Sequence, residues 1–462
     1  MTITSALPPR TRLLLEAPIL TTLLRLAAPN IGEAVARITF LTADALFVSW
    51  LGSDALAAVS VVFPILMVLQ TGTAAGFGAG VSSSIGRALG AGDLPRARAL
   101  AGTSIALAVI GWASTTALLL LGGPGLYAAM GLQGASLDMA ILYGALVFGG
   151  SLFVWLMNIM ANVSRGAGTM VVPASAIMIG EAFHVARSPA LIMGWGPFPA
   201  LGIAGAAIAV LSAYVVGTVV LASYLCSRHA LVRLEPALIR LKRAETSAIL
   251  KVGALAAAIA LQFQATTFFV TGLVGSMGST AIAAYGAATR LDLVQYPITF
   301  AFGSAVVTMV ATASGAGDNA RATRTAWTGA CVTALIGLIF TAVALEGARW
   351  MAIFTADPAI RDLGALYLLC QAPIYPLIGA GLAGYFACQG VGYVTWPFVV
   401  GMIRLAIAVL GGWLALSLGG GALALFVVGA AAFAFFSVAL LAATYRRFNG
   451  RLNAGPAAAS LR

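Results

Sequence analysis

Twelve long apolar runs, separated by short charged or Gly/Pro-containing breaks, follow one another along almost the whole chain. An α-helix needs about 20 apolar residues to cross the hydrocarbon core of a bilayer. Because lipid offers no partners to backbone N–H and C=O groups, such runs are predicted to be helical. The predicted spans are 26–51, 55–83, 98–121, 137–162, 170–194, 203–226, 248–274, 281–313, 325–346, 362–387, 396–419 and 422–445.

The composition agrees with an integral membrane protein. Hydrophobic residues make up 61% of the 462 residues and charged residues only 8%, where a soluble domain carries roughly 25%. Most of the 25 Lys and Arg residues fall in segments on one predicted side, so the net charge of +11 indicates topology and not nucleic-acid binding. We expect a bacterial inner-membrane protein with both termini in the cytoplasm and no cleavable signal peptide.

The chemistry that these residue types exclude is also informative. The four cysteines are far apart in apolar surroundings, and the chain has two histidines, so no metal site or other cofactor is predicted. The small-residue run GTAAGFGAG (72–80) lacks a phosphate-binding lysine and predicts close helix contact instead. We therefore expect no enzyme and no ATPase, but transport driven by an ion gradient or running downhill.

Two sequence motifs occur twice. ALGAGDLPRARA (88–99) resembles ASGAGDNARATR (313–324), and RGAGTMVVP (165–173) resembles QGVGYVTWP (389–397). Six spans per repeat return the chain to its starting side, which predicts two parallel, pseudo-symmetric six-helix lobes with a central cleft. The predicted organisation is an N-terminal segment 1–25, a first lobe 26–226, a basic amphipathic linker 227–247, a second lobe 248–445 and a cytoplasmic tail 446–462.

The first span carries three charged residues on one stripe, Glu33, Arg37 and Asp44. A charge inside a span costs about 2.5 to 3.5 kcal/mol on insertion scales, so each needs a reason. Glu33 and Arg37 are spaced to pair, whereas Asp44 lies too far along the helix to share that pair. Asp44 is therefore the predicted carboxylate that binds H⁺ or Na⁺. Pro29 either permits a bend that responds to Asp44 or lies in the first helical turn.

The fifth span carries Glu181, His184 and Ser188 on one stripe. Histidine changes its charge near neutral pH, so His184 is predicted either to pair with Glu181 or to take part in proton or substrate binding.

In the eighth span Asp292, Gln295 and Tyr296 form a polar stripe that could face the cleft, while Arg290 points elsewhere. Arg404 stands alone in the eleventh span and is predicted to pair with one of the buried acids.

Several motifs together resemble the multidrug and toxic compound extrusion (MATE) family over residues 20 to 445. The order and spacing of these motifs carry the resemblance, and AAYGAATR is similar to the DinF-like bacterial branch. The motifs are DALFVSWLG (44–52), GAGD (90–93) with its echo (315–318), RGAG (165–168), FPALGIAGAAIA (198–209) and AAYGAATR (283–290).

The resemblance implies an antiporter that exports cationic or amphipathic organic compounds in exchange for H⁺ or Na⁺ by alternating access. Asp44 matches the family's coupling acid, and Glu33, Glu181 or His184 would complete the ion site. His184 and Ser188 stand where relatives carry Asn and Asp. The residues expected to line the substrate cleft are Arg37, Phe40, Ser188, Gln264, Asp292, Gln295 and Tyr296.

Other functions remain open from the sequence. Four intramembrane arginines motivate a flippase or exporter of anionic or lipid-linked precursors, because arginine binds phosphate well. A cavity lined by Arg37, Arg187 and Arg290 would favour anions, and one lined by acids and aromatic residues would favour cations. A membrane enzyme or a scaffold lacks any catalytic constellation or soluble appendage. The expected partners are small-molecule drugs and the lipid bilayer, with the protein a monomer.

Overall fold

The computed structural model describes residues 7–195 and 199–453, apart from the side chains at positions 38, 41, 42, 45 and 450–453. Throughout this part the regular secondary structure is helical. The start of the predicted N-terminal segment, the first residue of the motif at 198–209 and the end of the predicted tail lie outside the described residues.

Contacts between residues divide the chain into two compact units. Unit 1 comprises Met1–Arg10 and Ala28–Ala257, and unit 2 comprises Thr11–Ala27 and Ala258–Arg462. The boundaries between the units fall after residues 10, 27 and 257, each of them inside a helix and none of them in the predicted linker 227–247.

Among the residues that the structure describes, the first half of the chain contains nine α-helices. Within unit 1 the fourth helix packs against the fifth and seventh, and the eighth packs along the ninth. The helices are α1 (Pro9–Glu16), α2 (Ile19–Ser49), α3 (Ser53–Thr71), a π-helical turn (Gly72–Phe77), α4 (Gly78–Gly90), α5 (Leu94–Ala129), α6 (Gly134–Gly149), α7 (Leu152–Gly166), α8 (Val171–Met193) and α9 (Gly202–Cys226).

The second half contains ten more. Within unit 2 the helices numbered 12, 13 and 16 pack on one another, and the last helix covers the sixteenth. They are α10 (Arg243–Gly275), α11 (Ser279–Ala288), α12 (Arg290–Gly315), α13 (Asn319–Leu345), α14 (Gly347–Ala352), α15 (Pro358–Gln371), a 3₁₀ turn (Ala372–Ile374), α16 (Tyr375–Gly390), α17 (Thr395–Ala406), a π-helical turn (Ile407–Gly411), α18 (Gly412–Ser417) and α19 (Gly421–Asn453).

These helices are consistent with twelve membrane spans. In the described part, nine helical segments are long and apolar enough to cross a bilayer, and the bent pair α6 and α7 makes a tenth. The other two spans correspond to α2 and α8, with 31 and 23 residues. Both helices are long enough to cross a bilayer, so their greater polarity, and not their length, distinguishes them from the other spans. They are the helices that carry Asp44 and Glu181.

The repeated GAGD motif forms the same local structure in both halves. Asp93 caps α5 and Asp318 caps α13, each carboxylate accepting a hydrogen bond from the backbone N–H three residues later, at 2.9 and 2.8 Å. The preceding Gly92 and Gly317 have φ values of 78° and 76°, a left-handed conformation that glycine adopts without a steric cost. The sequence repeat is therefore also a structural repeat at the helix starts.

The small-residue run at 72–80 lies at close helix contacts, as its composition predicts. Gly78 packs directly on the Asn162 side chain, and Gly80 packs on the backbone of Ile249 and Gly253. A Cβ atom at either position would overlap these neighbours. The same run contains the π-helical turn, an irregularity that is common where helices serve a function.

The predicted linker is less regular than an amphipathic helix. Its chain contains a single 3₁₀ turn, Pro236–Leu238, before α10 begins at Arg243. Glu235 forms an ion pair with Arg98 at 3.2 Å, and the Arg240 carbonyl accepts a hydrogen bond from Thr103. Contacts with α5 thus hold this segment against unit 1.

Candidate functional site

Asp44 and His184 meet in the interior of unit 1. The Asp44 carboxylate on α2 lies 3.2 Å from the His184 Nε2 atom on α8. The two residues are 3% and 0% exposed. The Phe40 ring, one turn before Asp44, packs on the imidazole with 4.5 Å between ring centres. The acid predicted to bind an ion is thus buried against an imidazole.

Several polar atoms at this site lack hydrogen-bond partners within the described part of the chain. They are the Asp44 Oδ1 atom, both ring nitrogens of His184, the Ser188 Oγ atom and the Tyr143 hydroxyl. The Asp44–His184 contact is within ion-pair distance but lacks hydrogen-bond geometry. A buried unsatisfied polar group costs about 1–3 kcal/mol. Such a concentration is expected where an exchangeable proton, ion or water binds.

A second group of charges runs along the same face of α2. Glu33 contacts Arg165 at 2.7 Å and Arg37 at 3.7 Å, which confirms the predicted Glu33–Arg37 pair. Arg37 also lies 3.9 Å from Glu181 and donates a hydrogen bond to Gln70 at 3.0 Å. Glu181 therefore pairs with Arg37, and a direct pair with His184 is absent among the described residues.

Two tyrosines of this site were not anticipated from the sequence. Tyr143 and Tyr214 are close enough to interact with the charge of Asp44, and the Tyr214 hydroxyl accepts a hydrogen bond from Gln70. Phe40 and Arg37 line a narrow cleft of only about 10 Å³ nearby. This cleft has room for a proton or a small ion, but not for an organic compound.

Pro29 lies inside α2 and not at its start. The helix begins at Ile19, so the alternative of a proline in the first helical turn is wrong. A proline inside a helix removes one backbone hydrogen bond and weakens the helix at that point. Helix α2 passes from unit 2 to unit 1 between Ala27 and Ala28, directly before this proline.

Unit 2 contains a larger cavity of about 320 Å³. Asp292 and Tyr296 from the predicted polar stripe line it. The Asp292 carboxylate accepts hydrogen bonds from the Tyr367 and Tyr375 hydroxyls at 2.7 and 2.8 Å. Neither tyrosine was predicted, because each lies more than 70 residues away in the sequence.

Two residues predicted to line the cleft lie away from this cavity. Gln295 is completely buried and donates a hydrogen bond to the Tyr375 backbone carbonyl at 3.1 Å. Gln264 is exposed on α10 and is not among the residues that line the cavity. Of the predicted polar stripe, only Asp292 and Tyr296 reach the open space.

The prediction that Arg404 pairs with a buried acid is wrong. No acid among the described residues lies within ion-pair distance of this guanidinium. It packs instead on the rings of Phe263, Phe433 and Phe436, with 4.1, 4.9 and 5.3 Å from the guanidinium carbon to the ring centres. One nitrogen donates to Thr266 at 3.1 Å. Cation–π attraction to three rings replaces the expected ion pair.

The other intramembrane arginines do not line the larger cavity. Arg37 is held by the acids of unit 1. Arg187 and Arg290 lie over the rings of Phe183 and Phe354, at 4.8 and 4.9 Å from the ring centres. The cavity is lined by an acid and many aromatic side chains, and Arg404 is its single arginine within the described residues.

Apolar spans that carry buried acids and arginines define a polytopic membrane protein of the transporter class. A family model described as MatE matches residues 29–189 and 256–414. The chain therefore belongs to the MatE family, the multidrug and toxic compound extrusion family that its motifs resemble, and is a membrane transporter of that family.

The similarity to individual relatives extends over most of the chain. It is 28% identical to a protein named FAD transporter from Shewanella oneidensis over 398 residues, 86% of this chain and 88% of that protein. It is also 28% identical to a probable multidrug resistance protein NorM from Caulobacter vibrioides over 433 residues, 90% of this chain and 89% of the relative.

Solved structures show the same fold. A MOP superfamily transporter from Pyrococcus furiosus, described as having a binding pocket of reverse polarity, superposes with a TM-score of 0.87 at 22% identity, covering 96% of this chain and 98% of that one. A MATE transporter in a bent conformation gives 0.89 at 22% identity, with coverage of 96% and 98%. These similarities confirm the all-α fold of two six-helix lobes.

Proposed function

We propose that the protein is a secondary active antiporter that exports amphipathic organic compounds, including cations, in exchange for protons by alternating access. The observation that carries this proposal is the buried contact of Asp44 with His184. We place the transporter in a bacterial inner membrane with both termini in the cytoplasm, in accordance with the distribution of its basic residues.

Multidrug cargo is supported by relatives along most of the chain. Besides the Caulobacter protein, a probable multidrug resistance protein from Bacillus subtilis is 27% identical over 369 residues. An aromatic cavity that contains a carboxylate suits amphipathic compounds of varied shape, because ring faces attract both apolar groups and cations.

The chemistry of the Asp44 site favours protons over sodium. Hard cations such as Na⁺ take oxygen ligands, whereas the nearest ion-pairing group of Asp44 is an imidazole nitrogen. An imidazole beside a carboxylate instead provides two adjacent sites for a proton. The net charge of the pair changes from negative to neutral to positive as it binds two protons in turn. The negative and the positive states each bury an uncompensated charge, which is costly.

Helix α2 offers a route from protonation to movement. Asp44 and Arg37 attach its second half to α8 through His184 and Glu181. Proton binding at Asp44 removes the attraction to a protonated imidazole and loosens this attachment. Pro29 supplies the weak point at which α2 would then bend.

The rival function, export of anionic or lipid-linked precursors, receives less support from the arginines. Arg37 is neutralised by acids, and Arg187 and Arg290 do not line the larger cavity. Because one relative is named FAD transporter, anionic compounds are the second candidate for the cargo. Arg404, the arginine at the cavity, is the observation in its favour.

The experiment that tests the proposed function uses purified protein in liposomes loaded with a fluorescent cationic dye. A pH gradient and a sodium gradient are imposed separately. We expect the pH gradient to drive dye movement and the sodium gradient, at equal pH on both sides, to leave the dye at the rate of protein-free liposomes. Glu346→Gln, which removes an exposed carboxylate paired with Arg349, is the control for the Asp44→Asn variant and should transport the dye as the wild type does.

Dye movement driven by sodium alone would contradict proton coupling. Dye movement driven by neither gradient, with a control transporter active in the same lipids, would contradict cation export and favour the anionic candidate.

A further inference from the structure

We propose that the cavity in unit 2 is a binding site for aromatic compounds that carry an acidic group, with the acidic group bound by Arg404. The inference goes beyond the proposed function: it names a class of ligand that this cavity binds and the residue that recognises it, and it does not depend on which compounds are exported. All the side chains that carry it belong to unit 2.

The first observation is the incomplete bonding of Arg404. The residue is 1% exposed, and its Nε and Nη1 atoms have no hydrogen-bond partner in the part of the chain that the structure describes. A guanidinium presents a planar fork of N–H donors that matches a carboxylate or phosphate. Arg404 is also among the residues that line the cavity, so a ligand in that space would lie against its side chain.

The second observation is the composition of the cavity walls. Tyr285, Tyr367 and Phe426 form one aromatic cluster, with ring centres 5.3 to 6.5 Å apart. Tyr296 and Phe433 stack at 6.5 Å on the side of Arg404. Rings that border a cavity attract a planar aromatic ligand, because aromatic pairs are stabilised in offset and edge-to-face arrangements.

The third observation is the bonding of the acid in the same cavity. Asp292 accepts hydrogen bonds from two tyrosine hydroxyls and does not pair with Arg404. Asp292 therefore has hydrogen-bond partners of its own, and the charge of Arg404 remains available to a bound anion. The cavity volume of about 320 Å³ lies at the lower end of ordinary ligand sites, roughly 300–1,000 Å³.

The aromatic rings around Arg404 do not remove the need for an acceptor. Ring faces attract the charge of a guanidinium, but they are weak acceptors compared with the oxygens of an acid. Thr266 satisfies one nitrogen only. A bound carboxylate would complete the remaining bonds and compensate the buried charge at once.

The test measures equilibrium binding of two probes of the same shape, naphthoate and its neutral analogue naphthamide. Binding to the full-length protein in lipid nanodiscs is followed by isothermal titration calorimetry. We expect naphthoate to bind about tenfold more tightly than naphthamide, the gain typical of a charge-assisted hydrogen bond. Equal affinity for the two probes, or no binding of naphthoate, would overturn the proposal.

Two variants locate the site. Arg404→Gln should abolish the preference for naphthoate. Gly429→Leu should abolish naphthoate binding altogether, because Gly429 lines the cavity and its added side chain enters open space without displacing a neighbour. The matched controls are Arg290→Gln and Gly272→Leu, an arginine and a glycine of unit 2 outside the cavity, which should bind both probes as the wild type does.

A naphthoate preference that persists in Arg404→Gln, or wild-type binding in Gly429→Leu, would place the anion elsewhere and overturn the assignment. Should Arg404→Gln fail to fold, Gly429→Leu with its control decides the question. No ion gradient is present in this assay, so its failure leaves proton coupling untouched, and a failed gradient experiment leaves the binding result untouched.

Discussion

Asp44 in unit 1 and Asp292 in unit 2 both lie in predicted membrane spans, and the two aspartates have different partners. Asp44 in unit 1 faces the His184 imidazole, which can itself gain or lose a proton. Asp292 in unit 2 is held by the hydroxyls of Tyr367 and Tyr375, which keep their protons under physiological conditions. The same residue type therefore lies beside an imidazole in one unit and is held by two hydroxyl donors in the other.

The open space described in the two units also differs in size. The cleft near the unit 1 site measures about 10 Å³ and the unit 2 cavity about 320 Å³. The comparison suggests that coupling ion and cargo are separated between sites, so variants at the two acids should have different effects.

The largest effect is expected from Asp44→Asn. Amide replacement keeps the shape but removes proton exchange, so gradient-driven dye transport in proteoliposomes should fall to the rate of protein-free liposomes. Asp292→Asn should retain the response to a pH gradient and alter only the affinity for the compound. If the Asp44→Asn protein still transported dye in response to a pH gradient, the proposed distinction between the two acids would be wrong.

His184→Asn should have the next largest effect. His184 is the partner of the proposed coupling acid, so its replacement should change the pH dependence of dye exchange while transport itself persists. Rates are measured at symmetrical pH on both sides of the liposome membrane. An unchanged pH profile would assign proton exchange to Asp44 alone.

At the second acid, Tyr367→Phe and Tyr375→Phe should act on stability. Each removes one hydrogen bond to a half-buried carboxylate, and we expect the free energy of unfolding to fall by about 1.5–3 kcal/mol. Unfolding in detergent provides the measurement, and repeating both changes with Asp292→Asn forms a double-mutant cycle. Equal losses with and without the carboxylate would contradict the assigned hydrogen bonds.

The smallest effects are expected at the repeated helix caps. Asp93→Ala and Asp318→Ala should each lower the free energy of unfolding by about 1 kcal/mol, with Asp93→Asn and Asp318→Asn nearly neutral because asparagine also caps helices. Similar losses at the two positions would extend the structural repeat to its energetics, and a loss at only one would limit it to geometry.

Local patterns in the sequence determined the helical class, the spans and the repeated turns. The length of an apolar run is enough to specify a span, because every backbone group in lipid must bond within its own helix. The GAGD motif likewise specifies its turn and cap within a few residues. The i, i+4 pair of Glu33 and Arg37 was predictable for the same reason, since both partners lie on one helix.

Tertiary structure alone decided which side chains meet across helices. His184 was recognisable as a buried histidine, but its contact with Asp44 depends on how α2 and α8 are rotated and packed in unit 1. Arg404 was expected to meet an acid and meets phenylalanines instead. Polarity requires that a buried charge be compensated, but packing between helices distant in sequence determines which group does so.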